Sequence, residues 1–167
     1  MKSALSDTKW SAAAWALALA ATLTLLVGAV LPPFVGSAAA VLRAGFAPLC
    51  HQLAERSFAV GGVPFAVCHR CTGIYLGLAL GVLALPALRD RANAWARYDR
   101  WLLLAATLPA AIDWTGDVLG LWTNTVAVRV VTGVWFGVAA GFVFARSVSA
   151  RTTAPAGISD AARGVGP

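Results

Sequence analysis

Four long apolar runs separated by shorter polar intervals organise the chain. Trp10 to Leu31 is 22 residues without a charged side chain, and Pro32-Pro33 ends it. At ~1.5 Å per residue such a run crosses a ~30 Å hydrocarbon core. Thr72 to Leu88, Trp101 to Trp122 and Thr125 to Phe144 follow, the first of these short and rich in glycine. The predicted fold class is all-α: a polytopic membrane protein with four transmembrane helices (spans about 10–31, 72–88, 101–122 and 125–144) in one domain over residues 10–146. Residues 1–9 precede that domain. The first run could instead be a signal peptide, because Lys2 and Lys9 precede it and Gly36-Ser37-Ala38-Ala39-Ala40 supplies small residues. It exceeds the ~7 to 15 residues of a secretory core, which favours an anchor. Within the longest connection, residues 32–71, Phe34 to Pro48 is apolar apart from Arg43. It is too short to cross twice, so an interfacial or re-entrant segment is expected there. Ser147 to Pro167 is rich in Ala, Gly, Ser, Thr and Arg and is expected to be a disordered tail.

Composition agrees with the runs: 59 % of residues are hydrophobic and 12 % charged, with a mean hydropathy of +0.75. Soluble domains carry about a quarter charged residues. The net charge of +6 invites a nucleic-acid reading, but the basic residues flank apolar runs instead of gathering on one polar face, so no nucleic-acid partner is expected. The lipid bilayer is the expected partner. Nine of the thirteen Lys and Arg lie before the first run, between the second and third, or after the fourth; Arg43, Arg56, Arg70 and, from the start of the fourth run, Arg129 are counted with the opposite connections. The positive-inside rule then puts both termini in the cytoplasm of a cell (plasma or inner) membrane and residues 32–71 outside. An oxidising exterior permits disulfides.

The second and fourth runs echo each other. Thr72, Gly73, Gly77 and Gly81 match Thr132, Gly133, Gly137 and Gly141 in spacing, with Arg70 and Arg129 just ahead. Glycines four apart share a helix face on which another backbone can approach closely, so a parallel pseudo-repeat is expected. Such Gly-x-x-x-Gly faces also serve homo-oligomers.

All three cysteines and both histidines fall between Cys50 and Cys71. Cys68-x-x-Cys71 opens the second helix, where free N–H groups and the positive dipole end favour thiolate and Arg70 adds a cation. Three uses are open. Cys50, His51, Cys68 and Cys71 form a Cys3His set of the kind that closes a tetrahedral zinc site, with His69 in reserve and Arg56 and Arg70 offsetting thiolate charge. Adjacent Cys50 and His51 cannot both ligate without strain. Alternatively Cys68 and Cys71 cycle between dithiol and disulfide, Cys50 forming a mixed disulfide, with a quinone or partner protein as electron acceptor. The plainest use is a structural disulfide with a spare thiol. Covalent c-type haem needs His after the second Cys, where Thr72 stands. The only methionine is Met1, which excludes a Met-rich copper site.

Asp113 and Asp117 lie in the third run, four apart and hence on one helix face. Carboxylates inside a membrane face the bundle or water. Arg129, Asn124 and Arg70 are the expected partners, in a structural lock or in a polar pocket for protons, a head group or a quinone, with Pro109 as a kink below. A small transporter or channel using the intramembrane Asp is the third functional class. Whether the chain is an enzyme is not decided by these residues.

The strings Cys50-His51-Gln52, Arg56-Ser57-Phe58 and Cys68-His69-Arg70-Cys71-Thr72-Gly73-Ile74-Tyr75-Leu76-Gly77, with Asp113, Asn124, Arg129, Thr132-Gly133 and Gly137, resemble domain-of-unknown-function family 2085 from about Pro48 to Gly141. The resemblance implies a multi-pass prokaryotic membrane protein with an extracytoplasmic Cys/His site and confers no known activity. The family usually has a small residue where His69 stands, and Trp114 and Asp117 also depart from its pattern. The layout is similar to that of quinone-linked thiol oxidases. Those carry a second cysteine pair in the next outer loop, and Trp122 to Ala127 has none.

Overall fold

The structure is a computed structural model that describes residues 11–151. Five helices and one small hairpin follow in the order α1 (Ala12–Val30), α2 (Ala39–Phe46), β1 (Ala59–Val60), β2 (Val63–Pro64), α3 (His69–Trp95), α4 (Asp99–Val118) and α5 (Val126–Arg151). Residues 1–10 and 152–167 lie outside the described residues, including Trp10, the segment before it and most of the expected tail. Ser147 to Arg151 continues α5.

The four long helices alternate in direction. Ser11 caps α1, its hydroxyl accepting from the Ala14 N–H at 3.2 Å. Near that end the Trp15 indole donates to the Val82 carbonyl at 2.9 Å, and at the other the Ala66 N–H donates to the Ala29 carbonyl at 2.8 Å. So α1 runs antiparallel to α3. Its small faces fill two cores: Ala18 with Val82, Leu85 and Phe142, and Ala29 with Phe46, Val67 and Tyr75. The second core includes Cys50, and Cys68 and Cys71 pack against it.

Helices α3 and α5 run parallel in near-direct backbone contact. A methyl group on Gly77 would fall on the Val134 carbonyl and 2.8 Å from the Gly137 Cα, and one on Gly137 on the Ile74 carbonyl. Gly73 and Gly81 meet the carbonyls of Val130 and Val138; Gly133 and Gly141 meet those of Arg70 and Leu78. The six glycines thus form a reciprocal interface, which bears out the expected repeat as two matched parallel faces. Their contact is within the chain.

Helix α4 returns alongside this pair. Asp99 at its start pairs with Arg146 of α5, and Asp113 near its end pairs with Arg70 of α3. It stops earlier than its apolar run suggests. Gly120 adopts φ +69°, and the Leu121 N–H donates to the Gly116 carbonyl at 2.9 Å, a glycine C-cap. Trp122, expected inside the helix, instead folds back over Gly116, where no side chain stands in its way. Arg70 and Arg129, counted among the loops by their charge, lie in the first turns of α3 and α5.

Among the described residues three helices are long and apolar enough to cross a membrane: Ala12–Val30, His69–Arg89 and Val126–Ala150. The fourth expected span is a 20-residue helix that carries Asp99, Arg100, Asp113 and Asp117. The Phe34 to Pro48 stretch forms 3-10 turns and α2, with Phe34 and Val41 exposed and Phe46 buried. The β1–β2 hairpin departs from the all-α expectation. Its signal was Gly61-Gly62, with φ of +58° and +80°, flanked by Val60 and Val63.

The glycine interface makes a sharp prediction. Gly77→Leu should lower unfolding stability by at least the about 1–3 kcal/mol of ordinary overpacking, because rigid backbone cannot yield. Gly45→Ala, in α2 with nothing within 4 Å of its added methyl, should be neutral or gain up to ~1 kcal/mol. Thermal unfolding of the two variants in detergent checks both.

Candidate metal centre

Cys68 sits at the mouth of α3. Its carbonyl accepts the Thr72 N–H at 2.9 Å, which places it at the N-cap and Cys71 in the first turn. Cys50 arrives from the end of α2, where its N–H donates to the Phe46 carbonyl at 3.0 Å. Phe46 is held by an edge-on contact with Tyr75 of α3, ring centroids 5.6 Å apart. The Cys68 N–H then donates to the Cys50 Sγ at 3.2 Å. The result is three sulfurs within 4.8 Å of one another, all of them free thiols. Tetrahedral Zn–S bonds of ~2.3 Å separate sulfurs by about 3.8 Å, so the three need only small movements to share one ion.

The cluster favours thiolate at Cys68. Its pKa is lowered, chiefly by the Cys71 thiol hydrogen-bonding to its sulfur; burial opposes this, while the Cys71 backbone N–H and the Cys50 side chain add to it. These are the influences expected where a Cys-x-x-Cys pair meets a helix N-terminus.

The histidines stand apart from the sulfurs. His51 is exposed and does not belong to the convergent group. His69 is buried edge-on against Phe58 at 4.5 Å, its Nδ1 without a hydrogen-bond partner. The residue that turns the chain after Cys50 is one the sequence reading passed over. Gln52 adopts φ +53°, and its amide donates to the Arg43 carbonyl at 2.6 Å. The Cys-His-Gln string carried no signal of this, because glutamine is not among the residues that favour the left-handed conformation; the bond to Arg43, nine residues back, accompanies it.

Next to the thiols lies the expected polar group, drawn together in full. Arg70, between Cys68 and Cys71 in sequence, pairs with Asp113. The Asn124 amide donates to the Asp113 carboxylate at 2.9 Å and to the Asp113 carbonyl at 3.2 Å. Asp117 meets Arg129 at 3.7 Å and Arg56 at 3.9 Å, and accepts the Asn124 N–H at 3.3 Å. Three guanidinium groups and two carboxylates bind α4 to α3, α5 and the 32–71 connection. A cavity of about 430 Å³ opens beside Asp113 and Asn124, bounded by Trp122 and Thr132.

Because Asp113 is buried and Arg70 mostly so, Asp113→Ala should destabilise the protein by the lower part of the about 3–5 kcal/mol range for stranding one partner of a buried pair. The double variant Arg70→Met, Asp113→Leu should recover much of that loss. A double-mutant cycle on thermal unfolding measures the difference.

Residues 50–143 match a family described as predicted membrane protein (DUF2085), a segment that holds all three thiols and the whole arginine–aspartate group. An uncharacterized protein of Methanocaldococcus jannaschii is 35 % identical over 92 residues, covering 55 % of this chain and 58 % of that protein. One from Methanothermobacter thermautotrophicus is 32 % identical over 96 residues, covering 56 % and 81 %. The chain therefore spans less than two thirds of the first relative. No solved structure matches it. Since the matched segment is more than half of the chain, the protein belongs to the DUF2085 family of predicted membrane proteins.

Proposed function

We propose that Cys50, Cys68 and Cys71 form an extracytoplasmic centre for zinc or a similar thiophilic divalent ion, in a four-span protein of the cell membrane with both ends cytoplasmic. The observation that carries this reading is the convergence of three unbonded sulfurs from two separate stretches of chain. Three thiolates on a divalent ion leave one net negative charge, and Arg70, beside two of the ligands, offsets it, with Arg56 and Arg129 beyond. Three protein ligands leave a fourth position for water or for His51 after a side-chain rotation. An open fourth position is the arrangement of ions that exchange or activate a ligand, whereas closure by His51 would make the ion structural.

The topology has its own support. Parallel α3 and α5 require a return path of equal length, and α4, tied to them near both ends, covers about 30 Å at ~1.5 Å per residue. Its carboxylates face the bundle, as charges in a membrane must. The basic Arg89–Arg100 connection belongs on the cytoplasmic side, which leaves the thiols outside. Exposed Phe34 and Val41 suit the outer lipid interface.

Metal analysis of the purified protein should find about one ion per chain, lost in Cys68→Ser and Cys71→Ser while folding is kept; metal-free unmutated protein would remove the reading. A membrane-impermeant maleimide should label intact cells only after chelation. Labelling confined to lysed cells would overturn the outward orientation.

A second reading draws on the Cys71 thiol that stabilises Cys68 as thiolate. In a thiol oxidoreductase the Cys68–Cys71 dithiol would pass two electrons and two protons to a quinone, giving a disulfide and a quinol. Alkylation trapping should then find the pair oxidised in growing cells, and fully reduced thiols in all conditions would end that reading. A transporter working through Asp113 has less support, since both carboxylates are engaged by arginines.

A further inference from the structure

Helix α4 is clasped to the α3–α5 pair near its two ends. At the thiol end the clasps are Asp113 with Arg70 and Asp117 with Arg129; at the opposite end Asp99 holds Arg146, which also donates to the Ala92 carbonyl at 3.5 Å. Between the clasps lies a cleft of about 590 Å³ whose walls are apolar throughout. Ala105 and Ala106 of α4 face Val134 and Val138 of α5 across it, and Trp95 closes the far end with its ring 6.3 Å from that of Phe142. Val131 and Trp135, 65 % and 61 % exposed, flank its opening toward the lipid.

An apolar space of this size gives water no hydrogen-bond partners, and leaving it empty would forfeit the contacts of every wall residue. From Val130 to Phe142 the cleft follows α5 for about 18 Å at ~1.5 Å per residue. That is somewhat more than half of a ~30 Å hydrocarbon core, the reach of one acyl chain from its own side. The charge at its far end selects the head group. Between Arg89 and Arg100 the chain carries four arginines against two aspartates. Just beyond Trp95, exposed Arg97 and Arg100 lie over the rings of Tyr98 and Trp101, at 4.7 and 5.4 Å. Aromatic rings with arginines beside them mark head-group level and attract anionic lipid.

We infer that this cleft binds an anionic phospholipid, one acyl chain lying between α4 and α5 and the phosphate at Arg97 and Arg100. The site depends on the bundle lying in a bilayer and is independent of any ion at the thiols. The lipid completes the packing of α4 where the protein leaves it open.

Native mass spectrometry of the full chain in detergent tests this, with dioleoyl phosphatidylglycerol and dioleoyl phosphatidylcholine added in turn. Phosphatidylglycerol should be retained on the order of tenfold more tightly, given two arginines at the head group. Ala105→Trp, which fills the cleft, should abolish the retention. The surface double variant Arg97→Gln, Arg100→Gln should keep its thermal stability and bind both lipids alike, and it serves should Ala105→Trp fail to fold. Equal retention of the two lipids by the unmutated protein would overturn the inference, as would an undiminished preference in the arginine variant. Co-purification of an isoprenoid quinone that Ala105→Trp displaces, without any phospholipid preference, would overturn it in favour of a quinone site.

Discussion

The architecture depends on two helix backbones touching. Where α3 and α5 meet, Gly77 and Gly137 lie against each other and the carbonyls of Val134 and Ile74 fill the space a side chain would occupy. Apolar burial drives soluble helices together but gives little preference in a bilayer, where lipid is as apolar as leucine; close van der Waals contact supplies what is missing. The close approach also sets the register. With Gly73 opposite Val130 and Gly133 opposite Arg70, the first turns of both helices are level, which brings Arg70 and Arg129 within reach of one α4 face carrying Asp113 and Asp117.

The thiol centre inherits its geometry from that register through a short chain of contacts. Cys68 and Cys71 are fixed by the start of α3, and Cys50 by the seat of Phe46 against Tyr75, one turn further down the same helix. Arg70, between the two cysteines in sequence, turns its head group to Asp113 of α4. The polar group is thus a structural tie between the helices, starting from the same turn that carries the thiols.

Much of this was legible in the residues, for identifiable reasons. Long apolar runs revealed α1, α3 and α5 because a bilayer leaves few other solutions, and glycine steps of four revealed the contact of α3 with α5 because only glycine permits it. The Asp113 to Asp117 spacing of one helical turn foretold a shared face. The misplaced features were local. The end of α4 follows the left-handed Gly120 and not hydropathy, since Leu119, Leu121 and Trp122 read as span. Of the Cys3His set the three sulfurs converge while His51 is exposed, a side-chain direction to which composition is blind. The Gly61-Gly62 hairpin was overlooked because two-residue strands carry too little alternation to register.

The matched helices carry one more consequence. Superposing the glycine triples puts Val128 and Val131 of α5 where Cys68 and Cys71 stand in α3, and Arg129 where His69 stands. A scaffold with near two-fold geometry thus presents sulfur on one side of its axis and hydrocarbon on the other. The two helix mouths therefore match in backbone and differ in chemistry, so the symmetry of the packing does not extend to the side chains at its end.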